Sequence, residues 1–120
     1  MKRISAVTAH PLRVVMVATL AAAILAAVPA IQAAAASAKV DVDIAKFLFA
    51  QKEITVAPGT TVVWTNRDET PHTVAAADKS FSSKGLDTNE TFEHTFAKEG
   101  DFDYICTVHP FMTGVVHVHK

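Results

Sequence analysis

From Lys39 onward the chain runs in short stretches with a period of two, and that period restricts its fold more than any other feature. Val40, Val42 and Ile44 alternate with Asp41, Asp43 and Ala45, which puts apolar side chains on one face of a strand and polar ones on the other. Glu53 to Val56 is a second short run and stops at Pro58-Gly59, a turn signal. Thr60 to Asn66 is rich in β-branched residues and holds Trp64, and Pro71 to Ala76 is another short run. Lys79 to Glu90 is polar, contains Gly85 and reads as a loop. Thr91 to Phe96 alternates, with Phe92, His94 and Phe96 on one side. After a turn at Gly100, Phe102, Tyr104 and Cys106 share a face, and Gly114 to His119 forms the last strand. About seven short strands with turns between them predict an all-β sandwich or barrel. Ala45 to Gln51 is ambiguous and either continues the first strand or makes a short turn.

The segment before Lys39 is of another kind. Lys2, Arg3 and Arg13 precede an apolar stretch from Val14 to Val28 broken only by Thr19, then Pro29 and an Ala-rich run ending Ala36-Ser37-Ala38. That order of charge, apolar stretch and A-x-A reads as a helical, cleaved secretory signal peptide over 1–38, followed by one domain over 39–120. The stretch is short for a membrane span, which needs ~20 residues; an uncleaved anchor is the alternative. The expected location is the periplasm, with no membrane attachment once the signal is removed.

All twelve acidic residues but only eight Lys and Arg lie in 39–120, a formal charge of −4. That balance argues against nucleic acid and anionic membrane as partners. Cys106 is the only cysteine in the chain, so no internal disulfide staples this small domain. A lone thiol in an exported protein pairs with another chain, stays reactive or binds a metal, and a bound metal would supply stability that the domain otherwise lacks.

The chemistry concentrates in Tyr104-Ile105-Cys106-Thr107-Val108-His109-Pro110-Phe111-Met112. A thiol, an imidazole and a thioether follow at spacings of three and three. Cys106 and Met112 are the only sulfur residues after the leader. Soft sulfur with imidazole selects copper, and two His with one Cys and a weak axial Met is the blue-copper set. The second imidazole must come from elsewhere, and His72 is the best candidate, following Pro71, which stiffens the backbone there. The plainer alternative is a core Met beside an inert buried Cys.

The remaining histidines have plainer readings beside their chemical ones. His94 could replace His72 as a ligand, but a core-edge histidine bonded to backbone is the simpler reading. His117 and His119 project from one side of the last strand, opposite Val116 and Val118. Two His at that spacing can bind a surface metal weakly, although strand ends often carry solvated His. Glu99, Asp101 and Asp103 read as a solvated strand face, with steering of a basic partner as the alternative.

Tyr104 to Met112 resembles the copper loop of the cupredoxins, and within them the amicyanin subfamily, whose Cys-x-x-His-x-x-Met spacing is equally short. Thr60 to Asn66, Pro71-His72 and Phe96 to Tyr104 resemble the same group, so the similarity covers roughly 40–119. The resemblance implies an antiparallel Greek-key β-sandwich with one type 1 copper per chain. His72, Cys106 and His109 would be the equatorial ligands, Met112 the axial one, and His109 the ligand that reaches the surface beside Pro110 and Phe111. It also implies a monomeric electron carrier rather than an enzyme, with an amine dehydrogenase and a c-type cytochrome or oxidase as redox partners. A copper carrier or resistance protein is the alternative, disfavoured by the lack of Met-rich tracts; a metal-free interaction module is a third. One position departs from the subfamily. Thr73 stands where Asn usually follows the first His ligand, and that Asn side chain ties the two ligand loops together, so the tie itself is in question.

Overall fold

The computed structural model describes residues 36–120; the expected signal peptide lies almost entirely outside the described residues. Eight strands make two four-stranded sheets. They are β1 (Lys39–Ala45), β2 (Leu48–Phe49), β3 (Glu53–Val56), β4 (Thr60–Asn66), β5 (Ala75–Ala76), β6 (Thr91–Phe96), β7 (Gly100–Ile105) and β8 (Thr113–Val118). One sheet has the order β2-β1-β4-β6 and the other β3-β8-β7-β5. The architecture is the expected all-β sandwich. Two pairings, β1 with β4 and β3 with β8, run parallel, because the chain repeatedly crosses between sheets and returns beside an earlier strand in the same direction. Among the described residues no helix is long and apolar enough to cross a membrane.

The alternating positions do what their pattern demands. Val42 and Ile44 of β1, Tyr104 of β7 and Val116 and Val118 of β8 are fully buried, and Phe96 of β6 nearly so. Trp64 sits at the centre, with its ring 5.8 Å from those of Phe81 and Phe92 and 5.4 Å from that of Tyr104. Phe81 comes from the polar loop and is nonetheless buried. Burying an aromatic side chain of this size contributes about 1.5–3 kcal/mol, and Leu86 of the same loop is buried as well, so the loop is fastened to the core through both residues.

Ala45 to Gln51 resolves as a hairpin. Ile44 pairs with Phe49 and Ala45 with Leu48. The two residues between them, Lys46 and Phe47, have φ of 55° and 56°. A two-residue turn with both φ positive matches the twist of its strands, but at non-glycine residues that conformation costs about 1–2 kcal/mol each. The compensation comes from the Asp68 carboxylate, which accepts both turn amides.

Tyr104 faces Gly114 across β7 and β8. A Cβ on Gly114 would overlap the phenol ring of Tyr104, so glycine here makes room for a fully buried tyrosine. Gly114→Ala should lower stability by about 1–3 kcal/mol, the usual cost of overpacking a core, seen as a drop of several degrees in Tm. An unchanged Tm would show that Tyr104 moves aside without cost.

Candidate metal centre

The first ligand loop leaves β4 at Asn66, whose buried side chain replaces the missing sheet partners. Its amide donates to the carbonyls of Thr70 and Leu86, each at 2.9 Å, and its carbonyl oxygen accepts the Asp68 N–H at 2.9 Å. That last bond is an Asx turn, the side chain standing in for a backbone turn. Downstream, His72 and Leu86 exchange both backbone hydrogen bonds. Pro71 fixes φ just before the imidazole. The His72 backbone is therefore held from both sides, and its ring is fully buried.

Asp68 joins this loop to the β1–β2 hairpin. Its two carboxylate oxygens accept the N–H groups of Lys46 at 2.7 Å and Phe47 at 2.9 Å, which offsets the strain of that turn. One of the same oxygens lies 2.8 Å from His72 Nε2. Burial works to raise the Asp68 pKa, but the Phe47 amide, the His72 ring and the Lys46 amide outweigh it and hold the carboxyl below its ordinary value. An ionised Asp68 accepts a hydrogen bond from His72 Nε2–H, which leaves Nδ1 as the bare lone pair. The turn also sets the Phe47 ring edge-on against His72 at 5.3 Å and His109 at 5.1 Å.

The second loop, from Cys106 to Met112, closes on itself. Cys106 N–H donates to the Met112 carbonyl at 3.1 Å, and Met112 N–H to the His109 carbonyl at 2.9 Å. Cys106 and Met112 are buried, and His109 is half-buried. Thr73 links the two loops. Its hydroxyl oxygen lies 2.7 Å from the Thr107 hydroxyl and accepts the Thr107 N–H at 2.7 Å. Its own N–H points at Cys106 Sγ, 3.4 Å away. The tie that an Asn would make is thus present, made by a shorter side chain.

These supports bring three ligand atoms onto one point. His72 Nδ1 and His109 Nδ1 each lie 3.7 Å from Cys106 Sγ and 3.2 Å from one another. A point equidistant from all three lies about 2 Å from each, the length of a metal–imidazole bond. Two imidazole lone pairs and a thiol sulfur aimed at one centre repel unless a cation sits between them, so the donor set fits a metal. Burial would push the Cys106 thiol up; the Thr73 amide, the neighbouring His72 and His109 rings and the Val108 amide instead bring it down to about 6. The sulfur is thus poised as thiolate, the form that binds metal.

The sequence model of the copper binding proteins of the plastocyanin/azurin family matches residues 36–119. The chain belongs to that family. It is 38% identical over 97 residues to amicyanin-alpha of Methylorubrum extorquens, covering 77% of this chain and 81% of that protein. Among solved structures, a reduced tryptophan-to-tyrosine variant of amicyanin is 34% identical with a TM-score of 0.65, covering 71% of this chain and 85% of that one. A purple cupredoxin from Nitrosopumilus maritimus is 31% identical with a TM-score of 0.63, over 67% and 99% of the two chains. This chain is therefore an amicyanin-like cupredoxin, and its cofactor is copper.

Within this cupredoxin, the structure brings His72, Cys106 and His109 together; Met112 is buried, and its backbone is hydrogen-bonded to those of Cys106 and His109. It does not bring His94 there. That ring packs against Phe81 at 4.6 Å and Phe96 at 4.8 Å, and among the described residues it makes no hydrogen bond, so the expected backbone partner is replaced by aromatic contact. Asp101 and Asp103 lie on the exposed face of β7 and Glu99 is exposed just before it, as expected of a solvated strand. Asp68 and Phe47 were not visible as site residues in the sequence. The available signal was an acid four residues before His72, and it acquires meaning only once the Asn66 turn aims it.

Removing a carboxylate that orients a metal-bound imidazole typically lowers metal affinity 10–100-fold. Asp68→Ala should show a loss of that size in a copper competition titration against a chelator. Equal copper affinity in Asp68→Ala and wild type would mean that packing alone orients His72.

Proposed function

We propose that this cupredoxin is an exported, periplasmic, monomeric single-electron carrier. In this reading His72, Cys106, His109 and Met112 would hold one copper, with Met112 the weakest donor of the four. What supports it most is the triangle of two Nδ1 atoms and one Sγ with edges of 3.2–3.7 Å; Met112, in the same loop as Cys106 and His109, is buried. The leader-like sequence over 1–38 supports export. The amicyanin relatives make an amine dehydrogenase the favoured electron donor and a c-type cytochrome or oxidase the acceptor.

Copper supplies the one-electron couple. The chain's residues keep the surroundings of that couple constant. Asp68 fixes the His72 ring, Thr73 fixes the sulfur loop, and the backbone bonds of 106–112 fix His109 and Met112 relative to Cys106. Side chains that do not rearrange between oxidation states leave little reorganisation to slow electron transfer. With four side chains committed to the metal, no coordination position remains for a substrate, and the reading is a carrier rather than an enzyme.

His109 also provides the exit. Its ring has Phe47 at 5.1 Å and Phe111 at 6.0 Å. Phe111 is 70% exposed, and Leu48 and Val108 are each 59% exposed. Exposed apolar residues in one patch mark a docking surface, and a patch this small suits the short-lived contact of a redox pair. A copper-transfer role would favour accessible sulfur, whereas Cys106 and Met112 are buried.

A visible spectrum and a voltammogram of the copper-loaded protein test the proposal. An intense blue band and a reversible mid-range potential are expected. Cys106→Ser should lose the band, and Met112→Ala should keep copper with a shifted potential. Colourless, readily exchanged copper in the wild type would favour the carrier of copper over the carrier of electrons.

A further inference from the structure

The far end of the β7–β8 pair carries a second set of ligand-type side chains, which the copper site does not use. Asp101 faces His117 across the two strands. His119 follows two positions later, so the period of the strand returns it to the same face. Asp101 Oδ1 lies 2.7 Å from His117 Nδ1 and 3.2 Å from His119 Nε2, and one ligand atom from each of the three residues falls within 4.8 Å of the others. The two imidazole planes are nearly parallel, 19° apart. Five residues of extended strand, at ~3.3 Å each, separate Asp101 from Cys106, or about 16 Å. The two clusters cannot share an ion.

We propose that Asp101, His117 and His119 form a surface site for a borderline divalent cation such as Zn²⁺, with water completing its coordination. The donor set is two imidazoles and one carboxylate, a combination that suits Zn²⁺ and Cu²⁺ and offers little to Mg²⁺ or Ca²⁺. Glu53 Oε2 lies 4.0 Å from His117 Nε2, so a carboxylate is close to the ring nitrogen that the cation leaves free, the outer arrangement common around metal-bound histidine. The bland reading is a pair of solvent-exposed imidazole–carboxylate hydrogen bonds. Two observations favour the site. One carboxylate oxygen is shared by both rings, and Asp101 and His117 stand on paired strands, so binding a cation would order little that is not already ordered.

The test is calorimetric titration of the copper-loaded full-length protein with zinc chloride, with the blue band followed throughout. One saturable zinc per chain is expected, with the blue band unchanged. Asp101→Asn and the double variant His117→Ala/His119→Ala should each weaken zinc binding at least tenfold and leave the blue band intact. All three residues are at the surface, so the variants retain the core. Zinc binding equal in wild type and double variant, or no saturable zinc at all, overturns the proposal. Zinc uptake that erases the blue band would place the ion in the copper centre and would likewise overturn it. Failure here leaves the copper reading untouched, because the two sites share no residue.

Discussion

One carboxylate holds the two halves of the metal centre's framework in place. Asp68 accepts the amides of Lys46 and Phe47 and reaches His72 Nε2 with one of the same oxygens. The hairpin tip has two non-glycine residues in the left-handed region, an arrangement that without outside hydrogen bonds would relax to a wider loop. The same bonds deliver the Phe47 ring onto His72 and His109, which shields the imidazoles from water and leaves part of the aromatic edge at the surface. Ligand orientation, hairpin geometry and docking surface are therefore one coupled arrangement, and a change at Asp68 is felt in all three.

The Cys106–Met112 loop stood out in the sequence because its three candidate ligands lie within seven residues and their chemistry is specific. The strands were legible because β1, β6 and β7 alternate cleanly between exposed and buried positions. What the sequence hid depends on contacts that form only when distant segments meet. Lys46-Phe47 lacks the Asn and Gly that usually announce a tight hairpin; its turn is stabilised by a residue about twenty positions away. Phe81 sits among serines and lysines, and only the position of Trp64 makes it a core residue. The register that sets Asp101 against His117 follows from the β7–β8 pairing, which no local pattern specifies across the long loop between them.

Thr73 shows how a departure from a subfamily pattern can leave the function of a position intact. A side-chain amide would offer both a donor and an acceptor to the opposite loop. A hydroxyl has one proton and two lone pairs, and here the lone pairs suffice to accept the Thr107 N–H and to meet the Thr107 hydroxyl. With Thr107 donating, the Thr73 proton is left to point toward Cys106 Sγ at 3.8 Å, a weak addition to the Thr73 amide at 3.4 Å. Hydrogen bonds to the sulfur draw charge from it and tune the potential of a copper–thiolate site. The Thr for Asn exchange therefore bears more on the potential than on the rigidity of the loops.

The two ends of the sandwich are built from opposite materials. Around His109 lie Phe47 and Phe111, and Phe47, Leu48, Val108 and Phe111 are exposed apolar side chains; desolvating apolar surface of this kind costs little. At the other end Asp101, His117 and His119 form a polar cluster, with Glu99 accepting the Lys120 amide beside it. Asp101 lies about 16 Å along the strand from Cys106, beyond the ~8 Å screening length of physiological salt. Asp101 is thus poorly placed to steer a partner onto the His109 end. Association through the apolar end should depend only weakly on ionic strength, as docking of neutral surfaces does.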